Sequence, residues 1–256
     1  IMAFSPVFQR PFSATFDRQT AAAGNGLLNN LAGHWALGEA SGNRKDSHTT
    51  NRDMIPVSTP SNRAGKIGNA LDVVVTGGSG KYCYYDDAAN NLACPSGSSI
   101  TVCCWVYVDA FGANALYPVS RWASTGDWAL ALTPAGAARM VVESGATDTT
   151  AATPNSMIAT GAWYFLAGWY DHTVGAHGTV YVQINNGTTY STALSAAKGN
   201  GARYVAIGDL GHADVAFGDF DGGVDEVGIW NTALTADQRT ALYNAGNGLA
   251  YAQFTT

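Results

Sequence analysis

Apolar and polar positions alternate most regularly over residues 100–108, where Ile100, Val102, Cys104, Val106 and Val108 interleave with Thr101, Cys103, Trp105 and Tyr107. Successive side chains of a strand point to opposite faces, so the stretch predicts one strand with an aliphatic face and an aromatic, polar face. The aliphatic face belongs against an opposing sheet, which makes the aromatic face the outer one. Shorter runs predict further strands over 117–121, 127–132, 139–143, 162–170, 179–185 and 203–207. Turn-rich segments separate them, among them 133–136 and the Asn185, Asn186, Gly187 hairpin signal ahead of Tyr190. After the turn at Asp221, Gly222 and Gly223, a strand carrying Val224, Val227, Ile229 and Trp230 runs into one short helix. Thr235 and Gln238 have capping-box spacing there, and Asn244 to Gly246 supplies the exit. Many short strands with one C-terminal helix predict an all-β, antiparallel jelly-roll sandwich.

Residues 1–30 follow a different pattern. Phe4, Phe8, Phe12 and Phe16 recur every four residues, but Pro11 interrupts the helix that such a stripe would suggest. An irregular N-terminal arm is expected, with a short helix over 17–23, ahead of a sandwich over 31–256. Each fully buried ring contributes about 2 kcal/mol, so the arm favours a surface of its own domain or of a neighbouring subunit. The four Phe residues are therefore candidate assembly residues, and the partners they imply are other subunits or a second copy of the chain.

Composition narrows the function classes. Of 256 residues only 12% are charged, 30 are Gly, and the net charge is −6 with Lys and Arg scattered singly. No basic patch exists to neutralise a phosphate backbone, so nucleic acid is not an expected partner. No run of 18 apolar residues suggests a membrane helix. The first residues lack a basic region followed by an apolar run, so no signal peptide is expected. Synthesis in a cytoplasm with release by lysis fits this, with a virion or an extracellular surface as the place of action. Cys103 and Cys104 are strand neighbours on opposite faces and do not suit each other as disulfide partners. Cys83 with Cys94 or Cys103 is one alternative, and four buried free thiols the other.

Several segments in order resemble laminin-G-like domains of the concanavalin A-like lectin/glucanase superfamily. Trp35, Leu37, Glu39, Ser41, Gly42 and Asp46 match the opening strand and the acid after it. The run from Gly65 to Val73 matches "G-K-x-G-x-A-L-x-hydrophobic", and 99–106 matches "S-x-T-V-x-x-W-V". The stretches 161–171 and 180–187 match a Trp-rich hairpin, and 217–251 the closing "D-E-V" strand and helix. The resemblance implies a lectin-like sandwich and brings Asp46 and Asp225 together as a candidate metal pair, for which Ca²⁺ suits the hard carboxylate oxygens. It also implies glycan contact through an outer aromatic face, with Trp105, Tyr107, Trp122 and Tyr181 as candidate ligand-binding residues. The alternative for these rings is that the arm or loops cover them.

Catalytic patterns are weak. Retaining glycosidases of this superfamily carry two carboxylates as E-x-D-x-E or E-x-D-x-x-E, and no such element occurs. Asp225 and Glu226 come nearest, but as strand neighbours they are expected to face opposite sides. The expected role is a non-catalytic structural or assembly protein, similar in style to bacteriophage tail and capsid-decoration components. A glycan-binding adhesion module is the alternative, and a polysaccharide lyase or glycosidase comes third.

Overall fold

In the computed structural model, residues 24–48, 51–74, 80–122, 126–145, 147–199, 201, 204–211 and 220–256 are described. Phe4, Phe8, Phe12, Phe16 and the helix expected over 17–23 lie outside these residues. Among the described residues, fifteen strands form two antiparallel sheets. One sheet runs β13 (Thr189–Ala193), β12 (Thr179–Ile184), β11 (Trp163–Asp171), β6 (Ile100–Val108), β15 (Gly222–Trp230), β4 (Asn69–Val73) and β3 (Ser61–Ala64). Its eighth strand, β1 (Leu31–Trp35), pairs with the second half of β15, while β4 pairs with the first half. The other sheet runs β10 (Thr147–Ala152), β9 (Ala138–Ser144), β8 (Trp128–Leu132), β7 (Leu116–Arg121), β14 (Tyr204–Ile207), β5 (Tyr82–Asp86) and β2 (Ile55–Val57). This is the expected sandwich.

The expected two faces of β6 become two cores. Ile100, Val102, Cys104, Val106 and Val108 join Trp35, Trp128, Leu130 and Ile229 between the sheets. On the outer side, Cys103 and Trp105 join Phe165, Trp169 and Trp230 beneath α1 (Ala236–Tyr243) and the C-terminal tail, with Leu242 and Phe254 as its plugs. Thr235 and Gln238 form the expected capping box, and Asn244 closes the helix in the left-handed region. Leu27 and Leu28 of the predicted arm are part of this second core. Leu27 is buried there and its carbonyl accepts from the Trp230 indole at 2.7 Å. Asn25 bonds Thr255 and Gln253, so the chain enters the sandwich beside its own tail. All four cysteines are free and buried, with Cys103 and Cys104 in different cores.

One end of the sandwich is closed by buried charge. Arg121 donates to Asp87 at 3.1 Å, to Asp127 at 2.8 Å and to Asn90 at 2.7 Å, and Lys198 also pairs with Asp127. These four charged side chains are fully buried. Asp87 further accepts the amides of Asn91 and Leu92, and Asp127 that of Cys94, so the pairs cross-link three loops.

Candidate functional site

The second core decides which outer aromatics remain available. Trp105 is 2% exposed, stacked on Tyr243 of α1 at 5.8 Å with the Lys66 ammonium 4.6 Å from its ring. It is thus covered, by the C-terminal helix. Tyr181 stacks on Trp169 at 5.0 Å and 8°, and Arg239 from α1 caps Trp169 on its ring at 3.9 Å. Trp122 sits at the end of β7 in the other sheet, its indole against Gly126, apart from the other three predicted residues. Of the expected ligand set, Tyr107, Trp122 and Tyr181 are partly exposed, and on the outer face Tyr107 is the one that lies outside the second core.

Tyr107 belongs to a row that crosses the sheet. In register it stands beside Trp163 on β11 and Gly223 on β15, Gly223 stands beside Asp72 on β4, and Asp72 beside Ser61 on β3. Such cross-strand neighbours share a face and touch. Trp163 approaches Tyr107 with ring centroids 5.6 Å apart, and the Arg63 guanidinium lies 4.4 Å from the Tyr107 centroid. The two meet over Gly223, where a Cβ would come within 2.8 Å of the Trp163 ring and 2.9 Å of Arg63 Cδ. Only a glycine leaves the sheet surface clear enough for both. Arg63 is held by a two-pronged bond to Asp109, at 2.5 and 3.2 Å, and a longer one to Asp72 at 3.4 Å, while Ser61 donates to Asp72 at 3.0 Å. Trp163, Tyr107 and Arg63 are all partly exposed. They form a strip of flat groups flanked by carboxylates and a hydroxyl, a surface suited to a polyhydroxyl ring with apolar C–H faces. Trp163 was visible in the sequence only as part of a motif, and Arg63 gave no signal, because β3 is a polar four-residue strand.

The two residues of the expected metal pair each accept backbone amides. Asp46 accepts the amides of His34, His48 and Arg52, closing its own loop. Asp225 accepts the amide of Ile67 at 2.9 Å, in the turn between β3 and β4. The two carboxylates thus brace separate loops. Among the described residues no group of three or more His, Cys, Asp or Glu side chains is placed to hold a metal ion.

Asp225 and Glu226 do not face opposite sides. The register of β15 on β6 slips between Asp225 and Gly228, and Glu226 takes a left-handed φ of 48°. This bulge leaves Val227 in the inter-sheet core and turns Glu226 to the outer side, next to Asp225, which is paired with Trp105. His34 Nε2 lies 3.1 Å from Glu226 Oε2 as an ion pair, and among the described residues Glu226 Oε2, Asp225 Oδ1 and His34 Nδ1 are buried without a hydrogen bond. Burial pushes the Asp225 carboxyl up to about 7, with the neighbouring Glu226 charge adding to it against the Ile67 and Lys66 amides. A raised carboxyl beside a second one has the composition of an acid pair. The adjoining cavity, lined by His34, Glu226, Trp105 and Phe254, is about 10 Å³, room for one water and not for a sugar ring.

Another recess lies at the far end of β11. Ser99, Asp171, His172 and Asn231 line an open polar groove of about 460 Å³, in which Ser99 and His172 Nδ1 are tied to each other at 3.0 Å.

Residues 77–238 match the model of the Laminin_G_3 family, described as the concanavalin A-like lectin/glucanases superfamily. No curated protein matches the chain in sequence. Among solved structures, the binding domain of Paraclostridial Mosquitocidal Protein 1 aligns with a TM-score of 0.67 at 13% identity, over 86% of this chain and 53% of that one. The binding domain of botulinum neurotoxin DC, in complex with rat synaptotagmin II, aligns at 0.63 with 8% identity over 86% and 52%. This chain thus spans about half the length of those toxin domains. Domain 4 of AbnA, a GH43 extracellular arabinanase from Geobacillus stearothermophilus, in complex with arabinotriose, aligns at 0.59 with 21% identity over 86% of this chain and 98% of that domain. At these identities the likeness is one of fold.

Proposed function

The chain belongs to the concanavalin A-like lectin/glucanases superfamily, and from that premise we propose that it is a non-catalytic glycan-binding module whose site is the strip of Trp163, Tyr107 and Arg63. The observation that carries this reading is the meeting of Trp163 and Arg63 over Gly223 beside Tyr107, on the outer face of the eight-stranded sheet. A ring stacked on Trp163 would bury apolar C–H groups, while Asp72, Asp109 and Ser61 accept or donate bonds to its hydroxyls. The arabinotriose held by a fold neighbour of nearly the same length supports a saccharide as the ligand class. The cavity beside Glu226 is water-sized and does not seat a sugar ring.

The test is a panel of immobilised malto-, cello-, xylo-, arabino- and galacto-oligosaccharides probed with the wild type and Trp163→Ala. Binding by the wild type that falls at least tenfold in the variant, with unchanged thermal unfolding, is the expected result. Equal binding by both proteins contradicts the proposal.

A second reading, assembly on a larger particle such as a phage tail or capsid, is favoured by one observation. Asn25 is bonded to Thr255 and Gln253, which holds the start of the described residues beside the C-terminal tail.

A further inference from the structure

We infer that the strip takes an internal run of about four sugar units of a linear chain, laid across the strands, instead of a single terminal sugar; this rests on the glycan-binding reading above. The row of Trp163, Tyr107, Gly223, Asp72 and Ser61 occupies five neighbouring strands in order. Four strand-to-strand steps of about 4.8 Å span about 19 Å, the length of about four sugar units at roughly 5 Å each. Chemistry changes along that length. The β11 end offers an indole, the middle a phenol ring carrying a guanidinium, and the β3 end a carboxylate bonded to a hydroxyl. Stacking therefore dominates at one end and hydrogen bonding at the other.

Among the described residues, pairing of β11 with β12 begins at Leu166 and Ile184, short of Trp163, and Gly161 and Ala162 beside it are exposed. At the other end Ser61 is exposed on the edge strand β3. A terminal sugar is recognised by walls that enclose its last hydroxyl, whereas the described residues at the two ends, Gly161 and Ala162 at one and Ser61 at the other, are exposed. At the centre, Trp163 and Arg63 close over the buried Gly223, so their side chains form the surface there.

The experiment titrates the full chain with cello-, xylo-, arabino- and malto-oligosaccharides of one to six units, by calorimetry or ligand-observed NMR. Within the series that binds, affinity is expected to rise at least tenfold from the monosaccharide to the tetrasaccharide and to change less than twofold beyond it. Asp72→Asn, at the far end from Trp163, is expected to weaken the tetrasaccharide more than the disaccharide. A monosaccharide bound within twofold of the tetrasaccharide overturns the inference and leaves the glycan-binding reading standing. Failure of every length in every series overturns both.

Discussion

Asp225 shows how much one side chain's surroundings govern. Its folded pKa is about 7 against an ordinary 3.8, chiefly because burial disfavours the charge. Between those values the folded state binds more protons than the unfolded chain, so the contribution to stability is full below about pH 4 and is lost as pH rises through about 7. The whole effect is on the order of 4 kcal/mol. Chemical denaturation from pH 4 to pH 8 should show stability falling with pH in the wild type and a flatter profile in Asp225→Asn, which stays neutral; parallel profiles would refute the assignment. The sequence marked Asp225 as a residue of interest but not its state, because the bulge that brings Glu226 alongside depends on a single left-handed residue. Trp105 is a similar case. Its outward position was legible from alternation, whereas its cover by Tyr243 depends on where α1 lands.

At the scale of elements, periodicity was readable where both faces of a strand are apolar in different ways, as in β6, and where capping chemistry marks a boundary, as at Thr235 and Gln238. It failed on β3 and β10, whose Ser-Asn-Arg-Ala and Thr-Asp-Thr-Thr-Ala-Ala sequences carry little hydrophobic signal; pairing with neighbours makes them strands. That failure hid Arg63, and with it half of the candidate site. Loop closure was equally hidden, since Arg121, Asp87, Asp127 and Lys198 are scattered through the chain. Removing one partner of a buried network leaves uncompensated charge, at a cost of about 3–5 kcal/mol. Arg121→Met should lower the free energy of unfolding by that amount in urea titrations, and a change under 1 kcal/mol would show that the network contributes little.

For the whole molecule, motif order along the chain pointed to the sandwich, although the strands that carry the motifs, β1, β4, β6, β11, β12 and β15, all belong to the eight-stranded sheet. The role of the arm is a separate question of assembly. If the Phe-rich segment docks on another subunit, the intact protein is an oligomer and a version lacking residues 2–23 is a monomer by solution mass; two monomers of equal stability would remove the assembly reading. Neither outcome moves the strip, which is built entirely from the eight-stranded sheet. The most direct test of the central claim is an NMR titration with the best-bound oligosaccharide, following backbone amides and indole N–H signals. The account predicts shifts at the Trp163 indole and at the amides of Arg63, Tyr107 and Gly223, with the Trp122 and Trp169 indoles unmoved. Shifts gathered instead at Ser99, His172 and Asn231 would place the ligand in the polar groove and contradict it.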